Sequence, residues 1–483
     1  MKKSLFIIGF CLMGYFSIGQ TGSGSLYFSP HNGSGSIVRY VPSTGKHIVY
    51  SEYQTSNHES HFTLTDMVNE IDAHVADNYV IKDFEIIDNY VIFCGYFPYV
   101  PGVKTGIIGW FDIDSLFYYG VSPTIDHSLF TLGMETLDNI EVFRDPTGNM
   151  HIAGYGETTT PSIGSGTNYR ALEAIGNLPG YFNYRTTDLG RYGAKSDIVD
   201  MAVTDNYVVF LGWERDASNI GLGIMLHPLP KYNMIFSNMI KSFYFELVTH
   251  TNPSLPTDYI DPISTPKIVH STGDNVAVCS YRQDRDINSP PPFYLANIYY
   301  LSHWRFDISP FLSGLPIQMV SAATAQLPGN VNGISGFIYD NLSNNYVVLH
   351  DHELTGGYSE YAVTTMDFSS GSVPAYVVSD YQTSYPTNNY WKPNSICLDV
   401  SSRYTVSGYK YYVFEQTIWQ NIINTVGGRC SNSVTYPMLS QSPLPPALIV
   451  HTATLMGWSK IVFGQKHTVN LYPYPSIRLC PNY

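Results

Sequence analysis

The feature that most constrains this chain is a short pattern that returns seven times. It is a tight turn, four or five apolar residues, then a glycine and an aromatic residue. The first clear copy spans residues 88–96, with Gly95 ahead of Tyr96. Residues 148–155 and 205–213 repeat it with Gly154 and Gly212. In residues 274–281 the glycine is Ser280, and in residues 344–352 it is Asp351. Gly408 and Gly464 mark the last two copies. Successive copies lie 56 to 71 residues apart. A near-constant period of this size means one supersecondary unit, stacked again and again.

The unit reads as β-structure throughout. An apolar run precedes each turn, as in residues 84–87, 140–143 and 201–204. Asp-Asn, Asn-Asn and Thr-Gly-Asn at the turns tolerate positive φ, so the first two strands form a hairpin. A third strand follows, as in residues 106–113 or 361–368, and a fourth, as in residues 373–378. Strands apolar on both faces must stack on one another, and a radial arrangement leaves no long free edge. The expected fold is all-β: a seven-bladed β-propeller of four-stranded antiparallel sheets filling residues 20–483. Eight blades are the alternative, the extra one built from residues 26–80. Residues 37–50 read as third and fourth strands without a first hairpin. One sheet would then combine strands from both chain ends. Met67, Val68, Ile71 and Val75 have helical spacing, so residues 65–75 are the one candidate helix.

The repeat resembles those of Kelch-type and other secreted propellers. It lacks the paired glycines of Kelch repeats and the Trp-Asp of WD40 repeats. The Ser-x-Asp-x-Gly-x-x-Trp box of sialidases is absent too. The resemblance therefore implies an architecture and transfers no functional residue.

Lys2 and Lys3 precede an apolar stretch at residues 5–16, and a small-x-small site follows at residues 17–19. Together they read as a signal peptide over residues 1–19. The expected location is outside the cytoplasm: periplasmic, cell-surface or secreted. No later stretch approaches the length of an apolar membrane helix. The formal charge is −14, which repels nucleic acid. Only 13% of residues are charged while tyrosines number 40, a balance that fits a folded extracellular protein and excludes disorder. Cys94 and Cys279 fall on equivalent strand positions and are expected to be buried thiols. Cys430 and Cys480 are the expected disulfide, with Cys397 as rival partner.

No catalytic motif is present, and no cofactor is expected. The aromatic after the glycine is the best candidate for a shared binding surface: Tyr96, Tyr155, Trp213, Tyr281 and Tyr409, with His352 in a sixth copy. Such rings stack on sugars and on partner side chains, and they also pack between sheets. Asp284, Asp286 and Asn288 have the oxygen spacing of a calcium loop without its later ligands. His350 with His352, and His58 with His61, are weak metal pairs. Asp83, Asp138 and Asp200 stand near the start of first strands, which line the channel of a propeller. The expected function is a non-catalytic binding or scaffold propeller for a glycan or extracellular protein. A glycoside hydrolase or lyase using those carboxylates is the alternative.

Overall fold

In the computed structural model the described residues are 24–28, 34–53, 59–66, 69–100, 103–158, 168–189, 195–215, 221–232, 243–245, 260–262, 265–285, 295–313, 315–327, 330–342, 344–354, 358–366, 389–400, 403–412, 417–427 and 462–463. They form seven antiparallel sheets, most of them four-stranded, with strands in sequence order. Sheet I comprises Ser34–Val41, Lys46–Tyr53, Glu59–Thr65 and Glu70–Asp77. Sheet II comprises Val80–Ile87, Tyr90–Val100, Val103–Asp112 and Thr124–Asp126. Sheet III comprises Asn139–Arg144, Met150–Thr158, Asn168–Gly176 and Phe182–Asp188. Sheet IV comprises Lys195–Val203, Tyr207–Arg215, Gly221–Pro230 and Phe243–Phe245. In sheet V, Ile260–Pro262 and Lys267–His270 both pair with Asn275–Arg285, followed by Leu295–Asp307 and Gln318–Leu327. Sheet VI comprises Asn330–Asp340, Asn345–Leu354 and Tyr358–Met366. Sheet VII comprises Asn389–Leu398, Arg403–Tyr412 and Thr417–Gly427, which then pairs with the N-terminal strand Gly24–Phe28. Val462–Phe463 adds to that strand in parallel.

Alternation along the second strands explains the unbroken apolar runs. Val91 and Phe93 of sheet II, with Phe84 of the same sheet, face sheet I, where they meet Tyr50 and Phe62. Ile92 and Cys94, one residue out of phase, face sheet III and meet Ile140 and Ile152. Val208 and Phe210 of sheet IV face sheet III, while Val209 and Leu211 face sheet V. Each strand is buried on both sides, so a period of two carries no polar residues. Cys279 and Leu301 continue the stack onto Phe337 and Val348 of sheet VI. Ile396 of sheet VII covers Gly336 of sheet VI. Cys397 of sheet VII meets Val38 and Val49 of sheet I, and Thr405 Oγ1 lies 2.9 Å from His47 Nε2. Thus the last sheet packs on the first, as in a β-propeller. Polar ties also join the hairpin tips. Asp274 accepts from Thr204 Oγ1 at 2.8 Å and from the Asn206 N–H at 2.9 Å, and Arg144 pairs with Asp88.

Several expectations hold in their coarse form. The hairpin turns use positive φ at Asp88 (54°), Asn344 (55°) and Gly148 (91°). Cys94 and Cys279 are fully buried, unbonded thiols in apolar clusters. Two readings are corrected. Residues 37–50 are the first and second strands of sheet I, with the turn closed at Gly45 (φ 69°). Ser51 stands where sister copies have glycine, which hid this copy in the sequence. Thr65 ends one strand and residues 70–75 belong to the next, while Met67 and Val68 lie outside the described residues. Ile71, Ala73 and Val75 pack toward the core at a period of two, and that burial overrides the helical spacing. The expected hairpin around residues 449–464, the fourth strand at 373–378, and Cys430 and Cys480 lie outside the described residues, apart from residues 462–463. Among the described residues the helical content is small: Ile113–Tyr119, capped by Asp112, and the 3-10 turns Ser128–Leu132 and Ser309–Ser313.

Candidate functional site

The first strands of all seven sheets line one cavity of about 670 Å³. Its wall carries Asp83, Glu85, Asp138, Glu141 and Asp200, against Arg39, Lys82 and Lys267. Five acids to three bases leave it acidic.

The arrangement follows from register. The residue before the repeat glycine pairs with one first-strand residue in each sheet. That rung is Asp83 opposite Cys94, Glu141 opposite Ala153, Asp200 opposite Leu211 and Lys267 opposite Cys279. Asp83 and Asp200 reach it because a β-bulge inserts an extra residue just before each. Sheet III has no such bulge, so its acid on this rung is Glu141, and Asp138 sits nearer the strand start. Gly95 serves the bulge directly. A Cβ there would stand 1.9 Å from the Val80 carbonyl oxygen and 2.9 Å from Ile81 Cα. The glycine admits its own sheet's first strand rather than the neighbouring sheet.

Asp83 is tied on both sides. Arg39 Nη2 donates to its Oδ1 at 2.9 Å, and the Ile140 N–H of sheet III donates to its Oδ2 at 3.2 Å. Arg39 Nε also donates to Glu85 at 2.8 Å. Burial lifts the Asp83 carboxyl to about 7; Arg39 opposes the rise and Glu85 adds to it. Burial works against the Arg39 charge, but Glu85 and Asp83 together raise its pKa further. Asp200 repeats the latch, accepting the Ile268 N–H of sheet V at 3.0 Å. Burial raises its pKa as well, with Lys267 opposing. Asp138 accepts from Thr136 Oγ1 at 3.0 Å and is likewise raised by burial.

Glu141 differs. It is half-buried on the same wall, and its carboxylate has no hydrogen bond or ion pair among the described residues. Burial pushes its carboxyl well above the usual range, Glu85 and Asp83 add to this, and Arg39 opposes it.

The aromatic series is divided. Tyr96 is half-buried, with Lys82 Nζ 5.7 Å and Lys104 Nζ 4.9 Å from its ring centre. Tyr155 is 4% exposed and lies edge-on to Phe210 of sheet IV, between sheets, while also bordering the cavity. Trp213, Tyr281, His352 and Tyr409 lie on second strands at the matching end, and their side chains are outside the described residues. The backbone of Asp284 belongs to a strand, whereas Asp286 and Asn288 are outside the described residues. His61 bonds Asp72 at 2.8 Å, and His350 is buried. Among the described residues no three His, Cys, Asp or Glu side chains converge to hold a metal.

Arg39, Glu85, Glu141 and Lys267 escaped the sequence reading. Aligning first strands on their hairpin turns would have placed Glu141 and Lys267 near Asp83, off by the bulge alone.

No family model matches this chain, and no curated protein does. Among solved structures, the β-propeller domain of the Trilobed protease from Pyrococcus furiosus aligns at 8% identity and a TM-score of 0.41, covering 85% of this chain and 94% of that one. A Dyadobacter fermentans protein of unknown function aligns at 9% identity and 0.38, covering 74% and 96%. An exo-1,5-alpha-L-arabinanase from a bovine ruminal metagenomic library aligns at 12% and 0.30, covering 62% and 95%. At such scores these likenesses bear no weight here, and the architecture rests on the chain's own sheets. No described helix is long and apolar enough to cross a membrane.

Proposed function

We propose that this chain is an exported seven-bladed propeller that binds a glycan or an extracellular protein at one loop face and does not turn it over. The packing of sheet VII on sheet I supports one closed ring, and the leader-like residues 1–19 support export. The non-catalytic reading rests on one observation: Asp83 and Asp200, at matching rungs, each accept a backbone N–H from the next sheet. An acid that cycles a proton must exchange its partners during the reaction. These two hold neighbouring sheets together instead. Tyr96, half-buried with the Lys82 and Lys104 ammonium groups over its ring, offers a cationic aromatic surface suited to a sugar or an acidic side chain.

An enzyme is the second reading, favoured by unpartnered Glu141 beside an Asp83 lifted to about 7. Two acids with such raised values suit acid–base work. A glycan array combined with an assay for released sugar decides between them. Binding without release, weakened about tenfold by Tyr96→Ala, agrees with the first reading, on the usual worth of an aromatic anchor. Release that vanishes in Glu141→Gln would establish the second.

A further inference from the structure

The wall of the channel is unevenly charged around its circumference. On the rung of Asp83 the acids occupy sheets II, III and IV, bounded by Arg39 of sheet I and Lys267 of sheet V. Across the channel, sheets VI and VII line the cavity with uncharged residues, among them Ser335, Phe337, Asn394 and Ser395.

The bases at the two ends of this arc do not serve Glu141. Arg39 is engaged by Asp83 and Glu85, at 2.9 and 2.8 Å. Lys267 lies beyond Asp200 and opposes its raised pKa. Glu141 is left as a carboxylate between acids, without a donor among the described residues. A second group on the facing wall also lacks a partner. Ser395 is 8% exposed and borders the cavity, and its hydroxyl makes no hydrogen bond among the described residues. A buried polar group without a partner costs free energy that a ligand can recover.

We propose that the channel is a binding site for a small organic cation, a primary ammonium or guanidinium, held by Glu141 with Ser395 across from it. Such a cation carries several N–H donors and no acceptor, which matches the unpartnered Glu141 carboxylate and the Ser395 hydroxyl. Its charge relieves the repulsion among Glu141, Asp83, Glu85 and Asp200. A bare metal ion fits poorly, because among the described residues no three ligating side chains converge, and the cavity of about 670 Å³ far exceeds an ion's needs. This site is separate from the loop face and does not depend on the reading given above.

Isothermal titration calorimetry on the mature protein tests it, with agmatine and spermidine as probes, and glucose and succinate as neutral and anionic controls. Both cations should bind saturably, and neither control should. Affinity should rise with pH, as the raised carboxyls of Glu141, Asp83 and Asp200 ionise while the Arg39 guanidinium keeps its charge. Glu141→Gln should weaken binding about tenfold or more, the usual worth of a charge-assisted bond. Glu141 has no partner to lose, so this variant should keep the wild-type circular dichroism spectrum. Ser335→Leu, which fills the facing wall and leaves every acid in place, should weaken binding too. Absence of cation binding, binding untouched by both variants, or equal binding of succinate would overturn the proposal.

Discussion

Asp83 and Glu141 occupy the same rung of adjacent sheets, border the same cavity and share a raised pKa, yet their surroundings are opposite. Asp83 has a guanidinium on one side and a backbone N–H of the next sheet on the other. Glu141 has neither. Position on the repeat thus assigns a residue to the channel wall, and partners assign its role. The tied acid is an inter-sheet latch, while the untied one is available to something that enters the channel. Asp200 is intermediate: it keeps the N–H latch but has no hydrogen-bonded cation among the described residues.

The strongest test of this contrast is Asp83→Ala. It removes one of the two carboxylates that hold Arg39 and leaves the buried Ile140 N–H without its acceptor, so stability should fall by about 3–5 kcal/mol in denaturant titration. A loss below about 1 kcal/mol would sink the latch. Gly95→Ala attacks the same place through the backbone. Its Cβ collides with Val80 and Ile81, which cannot move without undoing the bulge that sets Asp83 on its rung. A loss of about 3 kcal/mol is expected, whereas Gly212→Ala meets chiefly the flexible end of Met225 at 2.8 Å and should cost under about 1 kcal/mol. Equal losses at the two glycines would contradict this account. Asp200→Ala removes one acceptor from a buried N–H and should cost about 2 kcal/mol, less than its counterpart in sheet II.

The smallest effect has the opposite sign. Glu141→Gln removes an unpaired carboxylate from a cluster of acids and should stabilise the protein by about 1 kcal/mol at neutral pH. The pH dependence follows from the same groups. Asp83, Asp200 and Glu141 hold protons in the folded state at pH values where the unfolded chain has lost them. Their contribution is therefore complete below about pH 4 and declines as pH rises, through about 7 for Asp83. Thermal melts from pH 5 to 8 should show this decline, shallower in Glu141→Gln. A slope unchanged by the substitution would mean that Glu141 titrates normally.

How much could be read beforehand differs by residue. The hairpins were legible because Asp88, Asn344 and Gly148 mark turns by chemistry local to the turn. Cys94 and Cys279 could be placed because they occupy a strand position whose sister residues are also apolar. Asp83 and Asp200 were found, but Asp138 was grouped with them in place of Glu141. Counting from the turn cannot reveal which first strands carry a bulge. Sheet I was misread for a related reason: with Ser51 in the glycine's place, its copy lacked the mark that identified the others.

The sequence by itself determined the repeat, the strand content and the hairpin turns, since these depend on propensities and periods within a few residues of chain. Which strands begin a sheet, which acids share a rung and which of them find partners were decided only by the tertiary structure. Arg39 meets Asp83 across 44 residues of chain, and His47 meets Thr405 across 358. Such pairings are fixed by how sheets stack and how strands register, and no local pattern encodes them.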